Sequence, residues 1–333
     1  MTSYHFDHVF IESRGCVAGV KEKQGPLASL FDKTYDDYYA GEKSFEKCEQ
    51  LMMKEASEFA LKKANYTTKD IDLAIGGDLM NQLSSSHYFA RSLPIPFIGM
   101  YAACATSALI IAQAAIYIEK YLANRVLVFT SSNANSAERQ FRYPNEYGVQ
   151  KKASTTITVS GAGACILSSK QSQIKVTCFT VGKIIDWDFD EVGDLGSAMA
   201  PAAFDTLLTH FKDTKRTIDD YDLIVTGDLS SVGFAFFCDL IEQEKWSTNK
   251  LNDCGLMIYH DHQKDTFSGG SGCACSMLVT MSDLLNKIED GSYHRIMLIA
   301  TGALLSPVLL QQKESIPCIA HAIVFEGEAN DHD

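Results

Sequence analysis

Short apolar runs alternate with longer amphipathic stretches along this chain, and the pattern occurs twice. TTKDIDLAIGGDL at 67–79 matches TIDDYDLIVTGDL at 217–229, with a constant offset of 150 residues. Each copy follows a stretch with helical periodicity, and each contains an apolar run that ends in Gly-Asp. This order predicts a helix, a strand and a loop in each copy.

A second pair of segments repeats a charge-poor helix followed by a strand. The first begins with CATSALIIAQ at Cys104 and the second with CACSMLVTMS at Cys273, an offset of 169 residues. Further strands are predicted at VFIES near the start and at 157–169, 176–184 and 319–327. The alternative is a chance similarity between unrelated strand–helix units.

The repeated pattern predicts two similar α/β halves, at 1–170 and 171–333, with layered helices and mostly parallel or mixed sheets. The two charge-poor helices are expected to be the most buried elements of the molecule. In a pseudo-twofold arrangement they would pack against each other at the centre.

The stretch from Leu93 to Ile118 contains no charged side chain and is long enough to span a bilayer. Pro94, Pro96 and the abundance of alanine favour a buried strand followed by a buried helix instead. The first residues, MTSYHFDHVF, lack a basic region followed by an apolar core, so we expect no secretory signal.

Composition narrows the possible functions. The 333 residues are 46% hydrophobic and 21% charged, as in an ordinary globular protein. A formal charge of −13 with no compensating basic run disfavours nucleic acid as a partner. The ten cysteines are scattered without C-x-x-C pairs, which is typical of a reducing compartment rather than of disulfides or a zinc site.

Cys104 is the first candidate for chemistry, because it lies at a predicted strand-to-helix turn. The free N–H groups and the dipole at a helix N-terminus favour a thiolate there, and they can also hold a carboxylate or an oxyanion. Simple core packing is the alternative. Cys273 and Cys275 occupy the equivalent turn of the second half, where packing is favoured over catalysis. No histidine follows Cys104 locally.

The segment at 137–154, AERQFRYPNEYGVQKKAS, combines cationic and aromatic side chains. Arg139 and Arg142 could pair with a carboxylate while Phe141 or Tyr143 lies against an aromatic ring, a combination suited to an aromatic dicarboxylate. An ordinary loop with solvated charges is the alternative. Asp78 and Asp228 end the two matched strands, where a structural role in a turn or helix cap is expected.

The motifs at these positions resemble known families. A duplicated α/β chain in which AACATS opens the central helix resembles the thiolase and ketoacyl synthase superfamily. Longer blocks resemble its stage V sporulation protein AD family in spore-forming bacteria. These blocks are KEKQGPLASLFDKTYDD (21–37), AERQFRYPNEYG (137–148), GSAMAPAAFDT (196–206), GGSGCACS (269–276) and TGALLSPVLLQQKESIPCIAH (301–321).

The resemblance implies a thiolase-like αβαβα fold, usually dimeric. It also implies a component of the SpoVA membrane machinery, which moves dipicolinate (pyridine-2,6-dicarboxylate) as its calcium chelate into the developing spore and out during germination. It further implies direct binding of dipicolinate, with the chain attached through protein contacts at the spore inner membrane. No cofactor and no resident metal ion are expected.

The resemblance also implies roles for particular residues. Cys104 corresponds to the nucleophile of the superfamily, while Gly227 and Gly270 match the positions of the histidine and asparagine that condensing enzymes use. The backbone N–H groups of Cys104 and of Gly302 or Ala303 would remain as anion donors.

From this resemblance we predict a non-catalytic dipicolinate-binding protein. One carboxylate is assigned to the backbone donors of Cys104, Gly302 and Ala303. The other is assigned to Arg139 or Arg142, with Tyr143 or Phe141 against the ring and with Asp78 ordering the pocket or meeting chelated calcium. An acyltransferase that uses Cys104 and a docking scaffold for membrane subunits are the two alternatives.

Overall fold

The computed structural model describes residues 2–141 and 151–327, except for the side chain of Phe141. Its strands, in chain order, are β1 (Ser3–His5), β2 (Phe10–Ala18), β3 (Lys33–Thr34), β4 (Leu73–Gly77), β5 (Phe97–Gly99), β6 (Arg125–Ser132), β7 (Thr156–Thr158), β8 (Gly161–Ser168), β9 (Ile174–Thr180), β10 (Leu223–Thr226), β11 (Leu251–Asp253), β12 (Gly269–Ser271), β13 (Arg295–Ala303) and β14 (Cys318–Gly327).

The α-helices are α1 (Phe45–Lys63), α2 (Ser84–Ala90), α3 (Thr106–Glu119), α4 (Ala134–Phe141), α5 (Leu195–Thr214), α6 (Ser230–Gln243), α7 (Cys254–Met257), α8 (Cys273–Val279), α9 (Leu285–Glu289) and α10 (Pro307–Gln311). A π-helical turn at Thr280–Leu284 joins α8 to α9. The fold is therefore a mixed α/β arrangement, as the sequence predicts.

Ten of the strands form one continuous order, β11-β10-β13-β14-β9-β2-β8-β6-β4-β5. Within the described ranges, its two five-stranded halves meet through a single residue pair, Phe10 with Lys175. In each half, four of the five strands run in the same direction. The remaining strand, β8 in one half and β14 in the other, is fourth from the outer edge and runs in the opposite direction. The sheets are thus mostly parallel but mixed. The division of the chain at residue 170 stays a prediction.

The duplication is visible in local geometry as well as in strand order. The backbone N–H of Thr67 donates to the Asp70 carboxylate at 2.8 Å, and that of Thr217 donates to the Asp220 carboxylate at 2.7 Å. Both pairs form a capping box just before a matched strand, β4 or β10. The same side chains thus stabilise the same turn in both halves.

Helices α3 and α8 pack against each other in the centre of the molecule, with Ser107 against Ser276. Every residue of α8 is buried, and α3 buries nine of its 14 residues. This arrangement confirms the prediction that the two charge-poor helices form the centre. It also positions the turns before both helices close together.

The uncharged stretch 93–118 folds as a short strand followed by a helix, β5 and α3. β5 lies at the edge of the sheet and is only half-buried, so the prediction of a buried strand is wrong there. Among residues 2–141 and 151–327, no helix is long and apolar enough to cross a membrane. All ten cysteines are free.

Candidate functional site

Cys104 lies in a tight turn between β5 and α3. Ala103, just before it, has φ of +48°, a left-handed conformation that costs an alanine free energy and that persists only where the surroundings impose it. Thr106, the first residue of α3, accepts a hydrogen bond from the N–H of Ala102 at 3.0 Å and donates to the carbonyl of Ala103 at 2.7 Å. These bonds hold Cys104 two residues before the helix, rather than in its first turn.

Two side chains from the second half of the chain face Cys104. The Sγ of Cys104 lies 3.9 Å from the Oγ of Ser271, and that hydroxyl donates to the Asp228 carboxylate at 2.8 Å. A hydrogen-bonded path therefore runs from the thiol through Ser271 to Asp228. Both partners come from the turns that the duplication places opposite Cys104.

Loop geometry decides which residues of these two turns face Cys104. A Cβ on Gly270 would point at Ile258 and Val159, and one on Gly227 would point at the backbone of Thr301. Neither direction leads to Cys104. The side chains that reach it belong to the next residue in each case, Asp228 and Ser271. The correspondence of Gly227 and Gly270 to the histidine and asparagine of condensing enzymes stays a prediction.

The expectation that the helix N-terminus favours a Cys104 thiolate is also wrong. Cys104 keeps some accessible surface in a cavity, but most of its side chain is surrounded by protein. This burial raises the pKa of the Cys104 thiol well above its usual value, and the negative charge of Asp228 raises it further. The thiol is therefore protonated at neutral pH and is a weak nucleophile.

Asp228 is fully buried and serves as the centre of a hydrogen-bond network. Besides Ser271, it accepts from the Thr301 hydroxyl at 2.6 Å and from the backbone N–H of Gly272 at 2.9 Å. Burial raises the pKa of the Asp228 carboxyl, although these hydrogen bonds act in the opposite direction. The predicted structural role of this aspartate agrees with the network.

Asp78, the counterpart of Asp228, has a structural role in the first half. Its carboxylate accepts from the N–H of Met80 at 2.7 Å and from both the N–H and the hydroxyl of Ser86, at 2.7 and 2.5 Å. It lines neither of the two cavities near Cys104. These bonds favour the turn and capping role over contact with a ligand or with calcium.

A buried carboxyl next to Asp78 escaped sequence reasoning. Glu49 of α1 accepts hydrogen bonds from the hydroxyls of Ser85, Ser131 and Ser136 at 2.8–3.0 Å. Burial raises the pKa of Glu49 to about 8, and the charge of Asp78 contributes to the rise. No local signal in α1 marks Glu49, because its partners come from distant segments.

Two adjacent cavities, which share Leu79, Tyr101 and Leu305 in their linings, lie near Cys104. The inner cavity has a volume of about 30 Å³ and is lined by Cys104, Ser271 and Ala303, among others. The outer cavity has a volume of about 920 Å³, and the ring of Tyr101 lines both. The inner cavity is larger than the ~10–15 Å³ that one water molecule needs, whereas the outer cavity is as large as many small-molecule sites.

Arg139 is the predicted cationic residue that the structure brings to the outer cavity. It forms an ion pair with Glu46, and its guanidinium lies 6.0 Å from the ring centre of Phe45. The side chains of Arg139 and Glu46 are 55% and 37% exposed, so the pair contributes little stability. Arg142 and Tyr143 lie outside the described residues, as does the side chain of Phe141.

Of the two predicted backbone donors in β13, Gly302 and Ala303, the N–H of Ala303 is the one that lies outside the β-ladder. The N–H of Leu304 donates to the carbonyl of Pro317, and the N–H of Cys318, opposite Ala303, points away from β13. Because hydrogen bonding alternates along an antiparallel pair, Gly302 bonds within the ladder and the N–H of Ala303 points out of it. Ala303 lines the inner cavity.

Gly302 has a different role, because it permits close contact with the Cys104 turn. A Cβ on Gly302 would lie 2.4 Å from the carbonyl oxygen of Ala102 and 3.1 Å from the N of Ala105. Only glycine allows β13 to approach this closely.

Tyr101, whose side chain lines both cavities, was missed by sequence reasoning although it stands three residues before Cys104.

Comparison with known proteins identifies the family. The family model described as Stage V sporulation protein AD (SpoVAD) matches residues 2–326. Stage V sporulation protein AD of Bacillus subtilis (strain 168) is 50% identical over 323 residues, which cover 96% of this chain and 95% of that protein. The chain belongs to the SpoVAD family. This confirms the resemblance and makes the chain a sporulation protein.

Solved structures share the fold of this SpoVAD-family chain. Cerulenin-bound OleA of Xanthomonas campestris is 15% identical with a TM-score of 0.63, covering 96% of this chain and 97% of OleA. The 3-oxoacyl-[acyl-carrier-protein] synthase III of Aquifex aeolicus VF5 is 15% identical with a TM-score of 0.55, covering 96% of this chain and 99% of the synthase. At this identity the likeness establishes a thiolase-like fold.

Proposed function

We propose that the chain binds dipicolinate without transforming it, as part of the SpoVA machinery that takes up dipicolinate in sporulation and releases it in germination. The environment of Cys104 carries the proposal. The thiol is protonated and faces a serine and a buried carboxyl, and no histidine is found among the described residues that line either cavity. Such a site can hold an anion but has no imidazole base for thioester chemistry.

The two cavities suit a flat dicarboxylate divided between them. The inner cavity has room for a carboxylate group, which accepts from the N–H groups of Ala303 and Cys104. The ring then lies in the outer cavity against Tyr101, whose side chain lines both spaces. Tyr101 thus takes the part that the sequence assigned to Tyr143 or Phe141.

The second carboxylate reaches Arg139 at the outer cavity. Arg139 must exchange Glu46 for the ligand, and this costs little because exposed ion pairs are worth about 0–1 kcal/mol. A planar guanidinium can bind a carboxylate through two hydrogen bonds.

Titration calorimetry with dipicolinate tests the proposal. Arg139→Ala removes the cation and Ala303→Leu fills the inner cavity, and each is expected to weaken binding about tenfold or more. Arg91→Ala removes an exposed arginine that lines neither cavity and should leave the affinity unchanged. Picolinate, with one carboxylate, should bind more weakly than dipicolinate. Equal affinity in the wild-type chain and both cavity variants contradicts the assignment.

Acyl transfer by Cys104 is the second candidate, favoured by the path from the thiol through Ser271 to Asp228. In that reaction the sulfur attacks a thioester carbonyl, its proton passes by way of Ser271 to Asp228, and the thiol of the donor leaves with a proton. Incubation with acyl-CoA followed by intact-mass measurement distinguishes the two. The binding proposal expects no adduct, whereas a stable acyl group on Cys104 favours the enzyme.

The proposal includes SpoVA membrane subunits as partners, a homodimer, and attachment to the spore inner membrane through protein contacts. A docking scaffold is the alternative that shares these partners. If dipicolinate shows no saturable binding while the chain still copurifies with SpoVA membrane subunits, the scaffold is favoured.

A further inference from the structure

An apolar face of α6 is open to solvent. Val232 is 37% exposed, Ala235 is exposed and Phe236 is half-buried. These residues are three and four positions apart, so they share one side of the helix. The opposite side of α6 packs on α5, with Gly233 against Gly196. The helix therefore presents an apolar stripe that no described part of the chain covers fully.

Two aromatic side chains from other segments extend this stripe. Trp187 is 56% exposed and packs edge-on against Phe236, with ring centres 6.3 Å apart. Phe267 is 46% exposed and lies beside the first turn of α6, because its neighbour Ser268 accepts a hydrogen bond from the N–H of Ser231 at 2.8 Å. We call Trp187, Val232, Ala235, Phe236 and Phe267 the α6 surface.

Phe267 is also held in a strained backbone conformation. Its φ of +49° lies in the left-handed region, which costs a bulky residue roughly 1–2 kcal/mol. The strained residue leaves 46% of its surface exposed to water, where the apolar ring gains no burial energy. Backbone strain of this kind clusters at functional sites such as ligand clamps and switch regions.

The rim of the α6 surface is acidic. Residues 184–194, IIDWDFDEVGD, contain five carboxylates and no lysine or arginine. α6 adds Asp239 and Glu242 and also has no basic residue. Glu191 pairs with Lys152, but Asp188 and Asp190 are exposed beside Trp187. A partner that covers the apolar stripe must therefore carry positive charge at its edges.

We propose that the α6 surface binds an amphipathic helix of a protein partner, with an apolar stripe flanked by lysine and arginine. The apolar side chains of that helix would pack on Trp187, Val232 and Phe236 in the helix-in-groove manner. Its cationic side chains would face Asp188 and Asp239. An anionic lipid surface is repelled by the same carboxylates, and a second copy of this surface would oppose like charges. The proposal is independent of dipicolinate binding.

The probe for the test is a fluorescein-labelled 18-residue helix of leucine and lysine, with the leucines at helical spacing along one face. Fluorescence anisotropy measures its affinity for the full chain. The matched control is the same peptide with glutamate in place of lysine. We expect saturable binding of the basic peptide and binding about tenfold or more weaker for the acidic one, with the preference reduced at high salt. Equal binding of both peptides overturns the proposal.

Variants locate the binding site. Trp187→Ser with Phe267→Ser is expected to weaken the basic peptide about tenfold, and Asp188→Asn with Asp190→Asn several-fold. Tyr121→Ser with Leu122→Ser changes another exposed apolar pair, 75% and 67% exposed, and serves as the control that leaves affinity intact. Equal loss in the control and in the surface variants overturns the proposal.

Two further measurements distinguish a basic helix from an anionic lipid surface or a second copy of this chain as the partner of the α6 surface. In a Trp246→Phe background Trp187 is the remaining tryptophan, and its emission should shift to shorter wavelength when the peptide covers it. Vesicles with one-third anionic lipid should give no shift. A shift with vesicles, or a change in oligomeric state caused by Trp187→Ser with Phe267→Ser, overturns the choice of a basic helix as partner.

Discussion

The side-chain oxygens of Ser107 and Ser276 lie 2.7 Å apart, at equivalent positions of the two copies of the repeat, 169 residues apart in the chain. Both serines are fully or almost fully buried. The duplicated helices α3 and α8 therefore meet through the same residue of each copy. This contact fixes the pseudo-twofold centre next to which the Cys104 turn is built.

Removing both of these hydroxyls should cost little more stability than removing one. Ser107→Ala leaves the Ser276 hydroxyl buried and unpaired, and we expect it to lower the free energy of unfolding by about 1–2 kcal/mol. Adding Ser276→Ala should cost little more. Urea denaturation of the single and double variants measures this coupling, and additive losses would refute a direct contact.

Glu49 should make the chain less stable as the pH rises. Because burial raises the pKa of Glu49 to about 8, from ~4.3 in an unfolded chain, the folded state holds an extra proton between those values. The contribution of Glu49 to the free energy of unfolding is then greatest below about pH 4. It is lost progressively as the pH rises from about 4 to about 8. The glutamine of Glu49→Gln is neutral at every pH. The urea midpoints of this variant at pH 6 and pH 9 should therefore differ less than those of the wild-type chain.

The exposed Glu58 of the same helix supplies the control. Glu58→Gln should leave the difference between the two midpoints as it is in the wild-type chain. If Glu49→Gln also leaves it unchanged, Glu49 is ionised in the folded protein at both pH values and the assigned pKa is wrong.

Asp228→Asn should make Cys104 more reactive. Burial and the Asp228 charge hold the pKa of the thiol high, and the amide removes that charge while keeping the side-chain shape. Alkylation of Cys104 by iodoacetamide, followed by peptide mapping, should reach its half-maximal rate at lower pH than in the wild-type chain. Asp239→Asn, next to the partly exposed Cys238, controls for the general loss of a charge. An unchanged pH profile at Cys104 would contradict the account.

Gly302→Ala should disturb both the fold and ligand binding. Its Cβ would lie 2.4 Å from the Ala102 carbonyl oxygen, so β13 and the Cys104 turn must separate. We expect a destabilisation of several kcal/mol, as for overpacked sites, and a loss of dipicolinate affinity. Gly291→Ala, at φ of +78° with no atom within 4 Å of its Cβ, should cost about 1 kcal/mol and leave affinity intact. Equal affinity in the two variants would contradict this role for Gly302.

Much of the fold could be predicted from the sequence, because the same pattern of apolar residues occurs twice along the chain. The matched strands, the capping residues before them and the two central helices all follow from local periodicity and offset. The half-exposed position of β5 could not be predicted, since an uncharged run is compatible with either a central or an edge strand.

The site was less predictable, because it depends on side-chain direction across long separations. Cys104 was marked by its turn, but its pKa depends on Asp228, which lies more than a hundred residues away. The side chains near Cys104 belong to Asp228 and Ser271, each one residue after a glycine, because loop geometry sets which way a side chain points. Glu49, whose partners are three serines from three other segments, carries no local signal at all.

The central claim is that a thiolase-like cavity at Cys104 holds dipicolinate without reacting with it, and a crystal structure of the chain grown with dipicolinate tests it most directly. The account predicts intact ligand, one carboxylate within hydrogen-bond distance of the Ala303 N–H, its ring against Tyr101 and its second carboxylate at Arg139. Dipicolinate bound away from Cys104, or no ligand at saturating concentration, would contradict it.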